Sequence, residues 1–246
     1  FHVGAGSPAG KIDAPEGPAY AGADTVDIIV HGVGAHGASP HRGKDPILIG
    51  SQIVVALQTL VARELAPHAP GVVTVGSFHS GTKHNIISDR AHLQLTVRNT
   101  NAETREILLN GIERIAVNIG RAAGLPEDML PEVIVSEESV PPTVNDVRLA
   151  RRLKIAWTEA MGEDALHEDP PEGMGAEDFP MFTVNPDITS VYWGIGGTPQ
   201  EDLDAEKAGG PMVPSHHSPL FKIAPEPSVR AGVESTVVAL MELMGD

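Results

Sequence analysis

The fold is decided by a β-branched run and by the loop behind it, which read Asp24-Thr25-Val26-Asp27-Ile28-Ile29-Val30-His31-Gly32 and Val33-Gly34-Ala35-His36-Gly37-Ala38-Ser39-Pro40-His41-Arg42-Gly43-Lys44-Asp45-Pro46. The run is typical of a strand that ends at a glycine. The loop carries two histidines, an arginine and a lysine among glycines and prolines, and such side chains bind anions, ligate metals or polarise carbonyls. It is therefore a candidate functional site.

Beyond this loop, hydrophobic periodicity predicts alternating helices and strands. Asp45-Pro46 is a favourable N-cap and first-turn pair, so we expect a helix from Pro46 to about Leu65. Strands are predicted at 72–78, 91–98 and 132–136, and a second helix, capped by Asn101 and stopped by Gly124, at 102–123. In the strand 91–98 apolar and polar residues alternate, which predicts one buried face.

This order of strand, helix, strand, strand, helix and strand is the split βαβ pattern. It predicts an antiparallel sheet of four strands with both helices on one face, over about residues 23–138. Pro141-Pro142 then makes a stiff exit from this domain.

The rest of the chain is predicted to be less regular. Residues 1–23 are rich in Gly, Pro and Ala and should be extended and irregular. The later part predicts helices at 145–161 and 227–244, a strand at 190–195 and an acidic loop at 162–175, and residues 196–215 form another Gly/Pro-rich and charged stretch. One strand and two helices bury too little for a core, so we expect this part to pack against a sheet outside the chain.

Composition narrows the class of protein. The 246 residues carry 17 basic and 33 acidic side chains, and the net charge of -16 argues against nucleic acid or an anionic membrane as the main partner. The absence of cysteine excludes disulfides and thiolate ligands from this chain. Because no signal-peptide pattern and no membrane-spanning apolar run occur, we expect a cytoplasmic protein.

Several polar residues are candidates for chemistry, each with a structural alternative. His216 and His217 are adjacent, and two adjacent histidines point in different directions. At most one of them is therefore expected to ligate a metal in a given site. The stretch 174–179 holds Glu177 and Asp178 behind Gly175; it could bind a substrate carboxylate or support a metal ligand, or its acids could merely start a helix. Asn85 could donate to an oxyanion or close an Asx turn. Arg98 is a solvated charge or a carboxylate clamp.

These residues together resemble a known family of dinuclear metal-dependent amidohydrolases. The family includes hippurate hydrolase, aminoacylase-like enzymes and indoleacetyl-amino-acid hydrolases, with carboxypeptidase G and succinyl-diaminopimelate desuccinylase as relatives. The resemblance rests on six stretches in order: Phe1-His2-Val3 with Ser7-Pro8-Ala9-Gly10-Lys11-Ile12, then 34–47, Asn85-Ile86-Ile87-Ser88-Asp89, Thr96-Val97-Arg98, 174–179 and His217-Ser218-Pro219.

The resemblance implies an α/β protein. A ferredoxin-like split βαβ lid at 23–138 mediates dimerisation and is inserted in an α/β zinc-exopeptidase-like catalytic domain, to which 1–22 and 139–246 belong. It implies two divalent ions, zinc or else manganese or cobalt, with His2 and His217 as ligands. His36 would reach the active site of the neighbouring subunit and polarise the scissile carbonyl of the substrate there, with help from Asn85. Arg98 and Gly175 would hold the substrate carboxylate.

The chain also departs from the family pattern. The other metal ligands and the catalytic glutamate belong to an N-terminal segment of the family that this sequence does not contain. We therefore expect an incomplete catalytic domain that is inactive alone, from a parent that hydrolyses N-acyl or N-aroyl amino acids in a homodimer. A metallo-exopeptidase of the same family and a non-catalytic dimerisation or binding module are the alternatives.

Overall fold

The computed structural model describes residues 1–168, 173–185 and 188–245. Its strands are β1 (His2–Pro8), β2 (Ile12–Asp13), β3 (Gly17–Tyr20), β4 (Gly22–His31), β5 (Ala35–His36), β6 (Gly71–Ser80), β7 (Ile86–Ile87), β8 (Arg90–Asn99), β9 (Glu132–Val135), β10 (Thr143–Asn145) and β11 (Gly194–Thr198). Its helices are α1 (Pro46–Thr59), α2 (Ala102–Ala122), α3 (Val147–Met161), α4 (Gln200–Lys207) and α5 (Pro225–Met244).

The chain divides into two compact units. The central unit consists of Tyr20–Pro142 and Met174–Asp178, and the terminal unit of Phe1–Ala19, Thr143–Gly173 and Phe179–Asp246. The sequence-based boundaries, 1–22, 23–138 and 139–246, stay a prediction beside this division.

The central unit is the split βαβ fold that the sequence predicts. Its antiparallel sheet has the strand order β6-β8-β4-β9, and α1 and α2 pack against each other and against the sheet. The alternation in β8 has the predicted result, because Leu93, Leu95 and Val97 are at most 2% exposed. The α/β fold class is therefore confirmed.

Both helices of this unit begin where their caps predict. Asp45 accepts a hydrogen bond from the backbone N–H of Ile47 at 2.9 Å, and Asn101 accepts one from Thr104 at 2.8 Å. α1 ends at Thr59 and a π-helical turn, Leu60–Glu64, continues to the predicted end. α2 stops before Gly124, whose φ of 71° favours glycine.

The stretch Pro46–Glu64 has the length and composition of a membrane-spanning helix, with a mean hydropathy of 1.5. In this structure its inner side belongs to the core of the central unit, since Ile49, Ile53, Leu57 and Leu60 are at most 3% exposed. The high hydropathy of this stretch is thus explained in part by its packing in the core of the central unit.

An ion pair between a buried carboxylate and a partly exposed arginine joins the sheet to α2. Arg105 donates to Asp24 from Nη2 at 2.7 Å and from Nε at 3.1 Å, while the Asp24 side chain is fully buried. Asn99, at the end of β8, donates to the same carboxylate at 3.4 Å. The carboxylate is therefore held by groups from two neighbouring elements.

The terminal unit differs from its prediction in three ways. β1, β11 and β2 form a sheet in which β11 runs parallel to β1, so residues 2–13 supply strands that we expected outside the chain. The strand predicted at 190–195 lies at Gly194–Thr198 instead, and α4 lies in the Gly/Pro-rich and charged stretch 196–215, where no helix was predicted. Of the predicted acidic loop 162–175, residues 169–172 lie outside the described residues.

Glycines explain why the sequence does not predict the position of β11 correctly. β11 reads Gly194-Ile195-Gly196-Gly197-Thr198, a sequence with low β-propensity. A Cβ on Gly196 would overlap the carbonyl of Pro8, so the strand needs glycine to approach β1 closely. Its other side packs near α3 and α5, where Trp157 is fully buried and donates to the Ser235 carbonyl at 2.9 Å.

We predict that Arg105→Leu destabilises the central unit by about 3 kcal/mol, because it leaves the buried Asp24 carboxylate without its cation. Arg114→Leu is the matched control on α2: Nη2 of Arg114 donates to both carboxylate oxygens of Glu64, but the Arg114 side chain is 54% exposed. Its loss should cost under about 1 kcal/mol. Urea unfolding followed by far-UV circular dichroism measures both, and equal effects would contradict the prediction.

Candidate functional site

The loop that follows β4 is closed against the segment that precedes β8. β5 pairs with β7, and Gly37 donates its N–H to the carbonyl of Asn85 at 2.8 Å. A Cβ on Gly37 would lie 3.0 Å from that carbonyl oxygen, so glycine permits the close approach. The two residues predicted to act on a carbonyl, His36 and Asn85, are thereby brought together on an exposed surface of the central unit.

A local hydrogen bond sets the tautomer of His36. Its Nδ1 accepts from the N–H of Ala38 at 3.0 Å, and therefore carries a lone pair rather than a proton. In the neutral ring the proton then lies on Nε2, which is directed away from this contact. His36 can consequently donate a hydrogen bond to a carbonyl oxygen without first being protonated.

Lys44, a cation of the same loop, has a structural role. It donates from Nζ to the carbonyl of Ala123 at 2.8 Å, at the C-terminal end of α2. A cation at this position satisfies an unpaired carbonyl and interacts favourably with the helix dipole. Lys44 therefore ties the loop to α2.

The predicted substrate-binding residues have backbone and local contacts. Arg98 donates from Nη1 to the hydroxyl of Thr96 and to the carbonyl of Val97, both on its own strand. Gly175 accepts from the N–H of Ala21 at 2.8 Å. Their role toward a carboxylate stays a prediction.

The acids behind Gly175 do not begin a long helix. Only a four-residue 3-10 turn, Phe179–Phe182, follows them, so the expected helix dipole is small. Glu177 accepts from the N–H of Asp178 at 2.8 Å, and its side chain raises the pKa of Asp178 by hydrogen bonding and repulsion. Both side chains belong to the central unit.

In the terminal unit, residues from the two ends of the chain bring three histidines together. The ring centroids of His2 and His216 are 5.3 Å apart, and His216 also contacts the ring of Phe221 at 5.1 Å. Partial burial, together with the charges of His2 and His217, lowers the pKa of His216. Sequence reasoning did not foresee that His216 is the histidine in ring contact with His2.

The hydrogen bonds of His2 and His216 differ in whether they leave Nε2 of the ring free to bind a ligand. His2 donates from Nδ1 to the Val3 carbonyl at 2.7 Å, which leaves the Nε2 lone pair for a ligand. Metal-bound histidines commonly donate their second nitrogen in this way. In contrast, Nε2 of His216 accepts from the N–H of Ala5 at 3.3 Å. The chemistry of His2 thus fits a metal ligand better than that of His216.

His217 has an unusual backbone. Among the described residues it alone, apart from glycines, has a positive φ, at 65°. For a residue with a Cβ this conformation costs about 1–2 kcal/mol, and such strain occurs often at functional sites. The strain favours His217 over His216 as the residue whose position matters for function.

Two histidines do not complete a metal site. Across residues 1–168, 173–185 and 188–245 no group of three or more His, Cys, Asp or Glu side chains could hold a metal ion. Zinc usually takes four ligands, or three and a water. A metal held by His2 and His217 would therefore need further ligands from outside these residues.

Comparison with known proteins identifies the central unit. Residues 19–123 match the model of a peptidase dimerisation domain, the M20 dimerisation domain. Among curated proteins, YhaA of Bacillus subtilis is 32% identical over 222 residues, which are 90% of this chain and 52% of YhaA. Thermostable carboxypeptidase 1 of Saccharolobus solfataricus is 33% identical over 194 residues, which are 79% of this chain and 47% of the carboxypeptidase. N-acetyldiaminopimelate deacetylase of Leuconostoc mesenteroides is 34% identical over 200 residues, which are 81% of this chain and 50% of the deacetylase.

Solved structures agree on the fold. A protein from methicillin resistant Staphylococcus aureus matches 98% of this chain and 57% of its own, with a TM-score of 0.80 and 25% identity. The YXEP protein of Bacillus subtilis, a dinuclear metal binding peptidase from the M20 family, matches 96% and 54%, with a TM-score of 0.68 and 23% identity. The chain spans about half the length of the curated relatives it matches.

We predict that His217→Gly stabilises the terminal unit by about 0.5–1 kcal/mol, because glycine adopts a positive φ without strain. His216→Gly is the adjacent control and should destabilise it, because it removes the acceptor for Ala5 and the contact with Phe221. Both tryptophans, Trp157 and Trp193, belong to this unit, so urea unfolding followed by tryptophan fluorescence reports on it. A loss of stability in His217→Gly would show that its backbone is not strained.

Proposed function

We propose that this member of the M20 peptidase family is part of a metal-dependent hydrolase that cleaves the amide bond of N-acyl or N-aroyl amino acids. The observation that carries the proposal is the meeting of His2 with the His216-His217 loop, from opposite ends of the chain, with Nε2 of His2 left free for a ligand. The relatives named carboxypeptidase and deacetylase both cleave bonds of this kind.

The chain supplies two sets of groups for such a reaction. His2 and His217 would hold part of a dinuclear centre of zinc, manganese or cobalt. When bound, such an ion acts as a Lewis acid toward the scissile carbonyl. We propose that the other ligands and the general base belong to the segment of the family's catalytic domain that the resemblance places elsewhere, and we expect the 246-residue chain to be inactive alone.

His36 and Asn85 would act on the carbonyl oxygen. The Nε2–H of His36 and the side-chain amide of Asn85 are both donors, and donors placed at a developing oxyanion stabilise charge as it forms. We propose that the lid presents them to the active site of a second subunit in a homodimer. Arg98 and Gly175 are proposed to hold the substrate carboxylate, and a cytoplasmic location stays a prediction.

Isothermal titration calorimetry with Mn²⁺ or Zn²⁺ tests whether His2 and His217 bind a metal ion. We expect weak binding by the wild-type chain that is lost in His2→Ala and in His217→Ala, because each removes one of few donors. His68→Ala, an exposed histidine in another part of the chain, is the control and should leave binding unchanged. Equal binding by all variants would favour the alternative of a non-catalytic dimerisation or binding module.

Turnover separates the remaining alternatives. With Mn²⁺ or Zn²⁺ and an N-acetyl or N-benzoyl amino acid, we expect no turnover by the chain alone, and rates of about 1 s⁻¹ or more would contradict an incomplete site. In a protein extended to the length of the relatives, acyl amino acids should be cleaved faster than dipeptides. The reverse order would favour the metallo-exopeptidase.

A further inference from the structure

Two loops at one end of the central sheet are positively charged in a strongly acidic protein. These tip loops, residues 33–44 and 81–90, follow the end of β4 and precede β8, and they carry His36 and Asn85. They hold four Lys or Arg side chains and a single acid, Asp89, whereas the chain as a whole has a net charge of -16. A local charge of opposite sign to the rest of the protein attracts anions to this end of the sheet.

Two of the four cations are not used by the fold. Lys44 donates to the end of α2, and Arg90 lies on β8 itself. Arg42 and Lys83 are exposed, and in the part of the chain that the structure describes neither makes an ion pair or a side-chain hydrogen bond. Several arginines elsewhere pair with carboxylates, namely Arg105, Arg114, Arg121, Arg151, Arg152 and Arg230.

The backbone holds Arg42 close to His36. Ser39 donates its N–H to the carbonyl of His36 at 2.7 Å, and Arg42 donates to the carbonyl of Ser39 at 3.1 Å, so two tight turns follow each other. The next residue, Gly43, lies against Ala35, because a Cβ on Gly43 would be 2.9 Å from Cβ of Ala35. The turns therefore bring Arg42 back beside the strand that carries His36.

Lys83 is held beside the opposite strand. Ile86 pairs with His36 between β7 and β5, and its N–H donates to the carbonyl of Lys83 at 3.4 Å, which closes a turn. Asn85 lies within this turn. The carbonyl donors of the proposed mechanism are thus flanked by one unpaired cation from each tip loop.

We propose that Arg42 and Lys83 form an anion subsite beside His36 and Asn85 that binds a second carboxylate of the substrate. The inference rests on the proposed function and narrows its substrate to N-acyl amino acids with two carboxylates. The second carboxylate belongs either to a dicarboxylic acyl group or to the side chain of an acidic amino acid. Both present the same group to the two cations.

The α-carboxylate of the substrate has a different candidate partner. Arg98 lies eight residues from Arg90 along β8, which is about 26 Å at the usual rise of a strand. Arg98 therefore cannot bind the same small ligand as the tip loops of its own chain. In the proposed homodimer the tip loops of one copy meet a substrate whose α-carboxylate is held by Arg98 of the other, which leaves Arg42 and Lys83 for another anion.

The two side chains suit a carboxylate in different ways. The guanidinium of Arg42 can donate two parallel hydrogen bonds to one carboxylate, and the ammonium of Lys83 adds a compact charge. Because both side chains are exposed, their attraction for an anion is modest and is screened by salt. We therefore expect a preference of several-fold that depends on ionic strength.

Ligand binding to the 246-residue chain tests the subsite without requiring turnover. The probes are N-acetylglycine, N-succinylglycine and N-acetylaspartate, titrated while the backbone amides are followed by NMR. We expect both dicarboxylates to bind at least about fivefold more tightly than N-acetylglycine. This preference should shrink as NaCl is raised from about 20 to about 200 mM, because salt screens exposed charges. The dicarboxylate that binds more tightly identifies the source of the second carboxylate.

Substitution of both cations provides the sharper test. Arg42→Gln/Lys83→Gln should weaken binding of the dicarboxylates at least about fivefold and that of N-acetylglycine less than about twofold. Arg148→Gln/Lys207→Gln is the matched control, because it removes two other exposed cations, both in the terminal unit, that have no partner among the described residues. The control should keep the preference of the wild-type chain. Circular dichroism checks that both variants fold.

Four outcomes would overturn the subsite. Equal binding of all three compounds, or no binding of either dicarboxylate up to about 10 mM, would contradict it. Equal weakening of all three in Arg42→Gln/Lys83→Gln would show that these cations do not distinguish a second carboxylate. Loss of the preference in the control would assign it to net charge.

The proposed function can fail separately. A protein extended to the length of the relatives that hydrolyses none of the three compounds, although the chain keeps its preference for dicarboxylates, would contradict the hydrolase and support the anion subsite. In an active protein of that length, Arg42→Gln/Lys83→Gln should raise KM for the preferred dicarboxylate at least about fivefold with little effect on kcat, because the two cations bind a group remote from the scissile bond. A fall in kcat alone would reject this role.

Discussion

The buried carboxylate of Asp24 is the constraint on which the central unit depends. It stands at the start of β4, the strand between β8 and β9, and is held by Arg105 of α2 and Asn99 of β8. A buried charge tolerates little displacement from its partners, so this contact fixes the helix over the sheet. β4 then carries the chain to its other end, where the loop with His36 begins.

The two candidate groups differ in how they are positioned. His36 and Asn85 are brought together by backbone pairing between β5 and β7 and by the absence of a side chain at Gly37. The histidines of the terminal unit meet because β1 places His2 beside a loop that holds His217 at positive φ. In each group a backbone contact of the histidine, to Ala38 or Val3, decides which ring nitrogen is available.

Much of the central unit could be predicted because its signals are local. Asp45 and Asn101 cap the helices as expected, and the alternation in β8 buries the predicted residues. The strands of the terminal unit are harder to predict from the sequence. β11 is largely glycine, and it forms by close approach to β1, nearly two hundred residues earlier in the chain. Sequence propensity cannot report such long-range backbone contact.

The sequence alone determined the split βαβ fold, the caps of its helices and the family to which the motifs belong, because these depend on periodicity and on residues close in the chain. Only the tertiary structure decided that His216 contacts His2, that Lys44 caps α2 and that β11 pairs with β1. Those features depend on which distant segments meet, and on which backbone groups remain unpaired when they do.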